Sequence, residues 1–226
     1  SAQIALKVGK TLQIQFLKNL GFFDKIENLE IYEKGRPLHR SEKFWQDHTV
    51  ATTAYGYGIS VTPIHIITAF SSILNGGIYT PPTLISEATN RKSKRVISTQ
   101  TSMDMRKLLR DVVIYGSGKN ANIEGYEVAG KTGTANKLEN GRYVKGKNVT
   151  SFVSAFPISD PKYALMVIID SPKGLPETFN FVTSGWNACP TGGKIITRIA
   201  PKLDIMPNFD LQTQRAKVLK SYGIKN

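Results

Sequence analysis

The sequence contains a single cysteine, Cys189, among its 226 residues. One thiol cannot form a disulfide within the chain, and it cannot supply a metal site built from cysteines. The three histidines, His39, His48 and His65, are scattered along the chain and suggest ordinary surface or core positions. We therefore expect neither a metal site nor a cofactor.

Long hydrophobic runs are also absent. No apolar stretch approaches the about 20 residues that a membrane-spanning helix needs. No secretory signal stands at the N terminus, and the chain begins at Ser1 rather than at a methionine. We expect a piece of a longer protein, with residues 1–207 forming a partial domain and residues 208–226 a loosely attached tail.

Acidic residues are scarce: 17 Asp and Glu stand against 30 Lys and Arg, which gives a formal net charge of +13. Nucleic-acid binding would require the basic residues to be clustered and interleaved with aromatic ones. They are instead spread along the chain, apart from the run Arg91-Lys92-Ser93-Lys94-Arg95. A generally solvated basic surface is the favoured interpretation, and attraction to an anionic membrane or wall polymer is the alternative.

The hydrophobic pattern predicts a mixed α/β chain in which helices flank an antiparallel sheet. Helices are predicted in residues 1–21, at Thr62–Asn75, in residues 98–115 and from Pro190 onward. Strands are predicted at Tyr126–Asn136, Val149–Phe156 and Tyr163–Asp170. In the first of these helical regions Leu12, Phe16, Leu17 and Leu20 are expected to face inward, and residues 22–54 are expected to be irregular.

The stretch from Val128 to Ala135 contains the residues best suited to bind an anion. Lys131 supplies a positive charge with three hydrogen-bond donors. If the stretch is a strand, Thr132 and Thr134 place both hydroxyls on one face. Gly133 has no side chain, so a ligand can approach the backbone closely.

The same residues satisfy a second, unrelated pattern. The segment Gly125-Tyr126-Glu127-Val128-Ala129-Gly130-Lys131-Thr132 matches the phosphate-binding loop G-x-x-x-x-G-K-[ST]. Such a loop follows a buried strand and opens a helix. The residues before it are too polar for a central strand, and no apolar helical stripe follows Lys131. The context therefore favours the strand over the nucleotide loop.

A wider set of motifs, together with the strand, resembles a known protein family. Lys131-Thr132-Gly133 resembles the third motif of the β-lactamases and penicillin-binding proteins. The order and spacing resemble a class B penicillin-binding protein, of the division-specific branch, over about residues 1–207. The stretches that carry the resemblance are Tyr55-Gly56-Tyr57-Gly58-Ile59-Ser60-Val61-Thr62-Pro63, Asn75-Gly76-Gly77, Gly116-Ser117-Gly118-Lys119 and Val128 to Ala135.

Two motifs of that family are missing. The pattern Ser-x-Asn does not occur, and Ser-x-x-Lys occurs once, at Ser159 to Lys162. Pro161 suits a turn rather than the helix on which the family's nucleophilic serine stands. We interpret this match as accidental and expect the nucleophile, its lysine and the Ser-x-Asn motif upstream of Ser1, so that no catalytic residue lies in this chain.

The resemblance implies a transpeptidase-like fold and a function in cross-linking peptidoglycan stem peptides. It implies that Lys131, Thr132, Gly133 and Thr134 form a substrate-binding wall for a carboxylate, and that the Thr134 N–H is one oxyanion donor. Implied partners are stem peptides or their lipid-linked precursor, β-lactams and other division proteins. The implied location is the outer side of the cytoplasmic membrane, through an anchor that this chain lacks. A serine β-lactamase or carboxypeptidase, and a non-catalytic wall-binding or division-complex module, remain as alternatives.

Overall fold

The computed structural model describes residues 1–26, 29–86 and 91–209, and it divides into two compact units. The first unit comprises residues 1–105, and the second begins at Arg106. Most of the predicted tail at 208–226 lies outside the described residues.

The first unit consists of short helices and two small antiparallel strand pairs. Its elements are α1 (Ala2–Val8), α2 (Lys10–Asn19), β1 (Leu38–His39), a 3₁₀ turn at Glu42–Phe44, α3 (Asp47–Thr53), β2 (Ile59–Ser60), α4 (Pro63–Leu74), β3 (Ile78–Tyr79) and β4 (Lys94–Arg95). Strand β1 pairs with β2, and β3 pairs with β4. Helix α4 begins where Thr62 and Pro63 predict it, and the basic run contributes Lys94 and Arg95 to a strand.

The predicted inward face of α2 is confirmed for Leu17 and Leu20 and wrong for Leu12 and Phe16. Leu12 is 63% exposed and Phe16 is 39% exposed, whereas Ile14 and Leu20 are buried. Gly9, at φ +83°, separates α1 from α2, and both helices pack against α3. The buried face of α2 is therefore set by contacts with α3, which was not predicted, because its segment Asp47–Thr53 lacks an apolar stripe.

His65 is a structural residue of the first unit. Its side chain is buried, and Nε2 lies 2.9 Å from the Asp24 carbonyl oxygen. Because a carbonyl can only accept, Nε2 carries the proton, and in the neutral ring Nδ1 accepts from Thr62 Oγ1 at 2.7 Å. Both ring nitrogens thus have protein partners, which leaves His65 no lone pair for a metal.

Glu30 connects two loops of the first unit through hydrogen bonds. Glu30 accepts hydrogen bonds from the Leu84 N–H at 2.7 Å and from Thr83 Oγ1 at 2.8 Å. The Leu84 backbone bond, with that of Thr83, lowers the pKa of this carboxyl below its ordinary value. A lowered folded-state pKa means that the contact stabilises the fold above the unfolded-state pKa and is lost as the pH falls through the folded-state pKa.

We expect the Leu84 amide proton resonance to titrate with a midpoint below about pH 4.3, the value of an ordinary glutamate. The measurement is a pH series of two-dimensional NMR spectra. Glu30→Gln is the control, because it keeps the side-chain shape and removes the ionisation. A midpoint at or above the ordinary value, or a titration that survives in Glu30→Gln, would contradict the assignment.

Helix α5 (Thr99–Ile114) starts in the first unit, and the division falls within it. Ser98 Oγ accepts from the Thr101 N–H at 3.0 Å, as expected for the residue that caps this helix. The second unit continues with a 3₁₀ turn at Lys119–Ala121, β5 (Ala129–Glu139), β6 (Arg142–Phe156), β7 (Tyr163–Asp170), 3₁₀ turns at Pro176–Thr178 and Ser184–Trp186, α6 (Ala188–Ile199) and a 3₁₀ turn at Ala200–Leu203.

The three long strands form one antiparallel sheet in the order β5-β6-β7, as predicted. Strand β7 has the predicted bounds, and Asn140-Gly141 forms the turn between β5 and β6, with φ angles of 49° and 75°. Strand β5 starts three residues later than predicted, and β6 starts at Arg142 rather than Val149. The additional residues, 137–139 of β5 and 142–148 of β6, are mostly polar and flank the turn. They lack the alternation of apolar and polar residues that marks a half-buried strand.

Helix α6 covers one face of the sheet. The core beneath it includes Phe152, Phe156, Ala188 and Ile196. A Cβ atom added at Gly192 would lie 2.8 Å from the Phe152 ring, so the small residue permits the close approach of helix and sheet. Within the described residues, no helix has the length and apolar character of a membrane span, and no cluster of metal-binding side chains occurs.

Candidate functional site

The four residues from Lys131 to Thr134 lie in strand β5, at one edge of the sheet. They stand opposite Val153, Phe152, Ser151 and Thr150 of β6. In the part of the chain that the structure describes, β5 has a strand neighbour on one side only. Alternate N–H and C=O groups of β5 therefore point away from the sheet.

The alternation of the strand separates the charge from the hydroxyls. Thr132 pairs with Phe152, a core residue under α6, so Thr132 and Thr134 lie on the α6 face. Lys131 and Gly133 lie on the opposite face. A ligand that contacts both Lys131 and the hydroxyls must therefore lie along the outer edge of β5.

Each threonine hydroxyl has a partner from outside the strand. Thr132 Oγ1 lies 2.6 Å from Ser117 Oγ, in the turn after α5. Thr134 Oγ1 accepts a hydrogen bond of 3.0 Å from the Ser184 N–H. Ser184 in turn donates its own hydroxyl to the Ser151 carbonyl at 2.6 Å. Hydroxyl and amide groups of Ser117 and Ser184 therefore lie on the α6 side of the edge.

Gly133 lies on the face opposite the threonine hydroxyls, beside the side chain of Ser151. A Cβ atom built there would lie 2.6 Å from Ser151 Oγ on the neighbouring strand. The absence of a side chain also leaves the edge open between the flanking residues, as the sequence predicts for a close approach by a ligand.

Lys131 presents its charge at the surface. Its side chain is exposed, and Nζ donates to the Thr132 carbonyl oxygen at 2.9 Å. Among the described residues, no carboxylate forms a salt bridge with this ammonium. By contrast, Lys137 of the same strand is paired with Asp170 at 2.8 Å. Lys131 is therefore the cation of β5 best placed to receive an anionic ligand.

The phosphate-loop alternative is wrong. A nucleotide loop requires a helix to open at the lysine, but Lys131 is the third residue of an 11-residue strand. The sequence before it does not enter a strand until Ala129. From Ala129 onward, the N–H groups that would surround a phosphate are therefore part of the extended β5 backbone.

The lone Ser-x-x-Lys match lies in the connection between β6 and β7, not on a helix. Ser159 Oγ donates to Glu127 Oε2, and Lys162 Nζ is paired with Asp160 at 2.6 Å. In this arrangement the lysine neutralises an aspartate instead of contacting the serine. Cys189 is also an unsuitable nucleophile, because burial raises the pKa of its thiol to about 11.

Sequence reasoning did not identify the two serines that contact the threonine hydroxyls. Ser117 belongs to the motif stretch Gly116-Ser117-Gly118-Lys119, to which the sequence assigns no contact, and Ser184 lies outside every predicted helix and strand. Ser184 is 50 residues from Thr134 in sequence. The flanking glycines Gly116, Gly118 and Gly185 signal close backbone approaches, but they do not indicate which strand is approached.

Comparison with known proteins gives a consistent result. A family model described as the penicillin binding protein transpeptidase domain matches residues 1–184. A protein of Caulobacter vibrioides named probable peptidoglycan D,D-transpeptidase FtsI is 35% identical over 224 residues, which cover 94% of this chain and 38% of that protein. Stage V sporulation protein D of Bacillus subtilis is 36% identical over 221 residues, covering 91% of this chain and 33% of that protein.

A solved structure, the apo TP domain of Burkholderia pseudomallei penicillin-binding protein 3, superimposes with a TM-score of 0.81 at 27% identity. The match covers 92% of this chain and 62% of that one. Relative to the proteins from Caulobacter vibrioides and Bacillus subtilis, the chain spans between a third and two fifths of their length.

Proposed function

This chain belongs to the family of penicillin-binding protein transpeptidase domains, and we propose that it forms the carboxylate-binding wall of a peptidoglycan D,D-transpeptidase. In the proposed reaction a serine attacks a carbonyl of one stem peptide and expels the residue beyond it. The serine ester is then attacked by an amine of a second stem peptide, which forms the cross-link and releases the serine. A β-lactam would acylate the same serine when its ring opens.

The observation that carries the proposal is the arrangement of donors along the outer edge of β5. The Lys131 ammonium approaches this edge from one face and the Thr132 and Thr134 hydroxyls from the other. Three donors that converge on one edge suit the terminal carboxylate of a stem peptide, or the carboxylate of a β-lactam. Hydrogen bonds in which the acceptor is charged are roughly twice as strong as neutral ones.

Two further roles complete the proposed site. The backbone N–H of Thr134 is proposed as one oxyanion donor, and Gly133 admits the ligand to the strand. The nucleophilic serine, its lysine and the Ser-x-Asn motif are proposed to belong to the segment that precedes Ser1 in the full-length protein. The 62% coverage of a related TP domain is compatible with such a division of the site.

The cellular setting is proposed from the relatives' names. Division of the cell is the favoured context, because the Caulobacter relative carries the name FtsI. The full-length protein would then act on the outer side of the cytoplasmic membrane, with lipid-linked peptidoglycan precursors and other division proteins as partners. A basic surface of net charge +13 suits an anionic membrane or wall polymer.

The site can be tested with this chain alone, because the proposed carboxylate wall lies wholly within it. In two-dimensional NMR titrations, N-acetyl-D-alanyl-D-alanine should shift the backbone amides of Lys131 to Thr134. The C-terminal amide of the same peptide should shift them far less, because it has no charge for Lys131 to attract. Added salt should weaken the response, since the ion pair is exposed.

Equal responses to the acid and the amide, or a response confined to other parts of the chain, would contradict the proposed function. Lys137→Met serves as the matched control variant. It removes a cation from the same strand but leaves the proposed site intact, so it should preserve the selectivity for the carboxylate.

A further inference from the structure

Ser184 is a buried polar residue that donates two hydrogen bonds to residues beside the proposed carboxylate wall. Its side chain has no exposed surface, and its hydroxyl donates to the Ser151 carbonyl at 2.6 Å. Its N–H donates to Thr134 Oγ1 at 3.0 Å. Ser151 stands opposite Gly133 and Thr150 opposite Thr134, so both contacts are made beside the site.

A second connection holds the same segment against the sheet. Asn187 Oδ1 accepts from Thr150 Oγ1 at 2.7 Å and from the Ala188 N–H at 2.6 Å. The 3₁₀ turn Ser184–Trp186 is therefore fixed at both of its ends. The Ser184 N–H cannot move away from Thr134 without the loss of a partly buried hydrogen bond, so its position is set by the fold.

The direction of the Ser184–Thr134 hydrogen bond has a chemical consequence. A backbone N–H can only donate, so Thr134 Oγ1 must be the acceptor. The hydroxyl proton of Thr134 is then directed away from Ser184 and is left to donate to another group. Oriented in this way, the hydroxyl is suited to an anion, which accepts hydrogen bonds and donates none.

The contact at Thr132 differs in this respect. Either Ser117 Oγ or Thr132 Oγ1 can be the donor in their 2.6 Å hydrogen bond. This pair always leaves one hydroxyl proton free, but the contact does not decide which one. Ser117 therefore does not fix the orientation of the Thr132 hydroxyl proton, whereas Ser184 fixes that of the Thr134 hydroxyl proton.

We propose that Ser184 is a positioning residue, which orients the Thr134 hydroxyl proton toward the ligand and thereby selects a carboxylate over a neutral amide. This inference rests on the proposed function of the β5 edge. It assigns to a residue outside the Lys131–Thr134 motif part of the specificity of that motif.

The test uses the NMR titration with N-acetyl-D-alanyl-D-alanine and its C-terminal amide. In the unmodified chain the Ser184 amide resonance should shift with the acid and not with the amide. The reason is that a charged acceptor polarises the chain of hydrogen bonds through Thr134 to the Ser184 N–H. Thr134→Val removes the hydroxyl that links the two and should abolish this response.

Ser184→Ala tests whether the position of the Ser184 N–H affects the choice of ligand. Loss of the hydrogen bond to Ser151 should lower the preference for the acid over the amide by about fivefold, the size expected for one typical hydrogen bond. The same change made in Thr134→Val should have no further effect, because Ser184 acts through that hydroxyl. Ser117→Ala should change the preference less than Ser184→Ala does.

The outcomes separate the two proposals. If Lys131 to Thr134 respond to the acid but the Ser184 amide does not, the role of Ser184 is wrong and the proposed site stands. An equal effect of Ser184→Ala with and without the Thr134 hydroxyl would show a general structural role and would also overturn the inference. If no amide of β5 responds to the acid, the proposed function itself fails.

Discussion

In the full-length protein proposed to contain this chain, Lys131→Met should lower the rate of acylation by penicillin by about 10- to 150-fold. The reason is the loss of a charge-assisted hydrogen bond to the ligand carboxylate, which contributes about 1.5–3 kcal/mol. The change removes the charge and retains a side chain of similar length. The measurement is the second-order rate constant for labelling by a fluorescent penicillin, read from denaturing gels.

Lys137→Met is the matched control for this experiment. Lys137 lies on the same strand and carries the same charge, but its Nζ is paired with Asp170 at 2.8 Å. Its replacement should leave the acylation rate close to that of the unmodified protein. Equal losses in the two variants would point to general attraction by the basic surface and would contradict a specific role for Lys131.

The second large effect concerns the isolated chain. We expect no covalent labelling of residues 1–226 by a fluorescent penicillin at any reagent concentration. The carboxylate wall lies in the chain, but the structure places the one Ser-x-x-Lys match in the connection after β6, where Lys162 pairs with Asp160. Without an activated nucleophile, the ester cannot form.

Ser159→Ala is the decisive variant for that experiment. The Ser159 hydroxyl donates to the Glu127 carboxylate, so a group that could accept its proton lies beside it. A labelled band that Ser159→Ala removes would make Ser159 the nucleophile, and the proposal that the nucleophile precedes Ser1 would fall. Labelling of the full-length protein together with an unlabelled chain is the expected pair of results.

Local sequence signals predicted much of the second unit. The turn at Asn140-Gly141 requires two residues that tolerate positive φ, and both adopt it. The apolar run at Tyr163–Asp170 forms a strand with those bounds. The alternation from Lys131 to Thr134 placed both hydroxyls on one face, as the register with β6 requires. These features depend on neighbours in sequence, which a pattern can express.

Features that depend on distant contacts could not be predicted in this way. The buried side of α2 is set by α3, and Leu12 and Phe16 consequently remain exposed. Ser184 reaches Thr134 across 50 residues, and its loop carries no periodicity that points to β5. The strand could be identified from its own residues, whereas the groups that orient its hydroxyls could not.

A crystal structure of the full-length protein acylated by a β-lactam would test the central claim most directly. We expect the ligand carboxylate along the outer edge of β5, with an oxygen within about 3.2 Å of a threonine hydroxyl, Thr132 or Thr134. The acylated serine should precede Ser1 in sequence. A carboxylate held elsewhere, for example by the basic residues Arg91 to Arg95, would contradict the account.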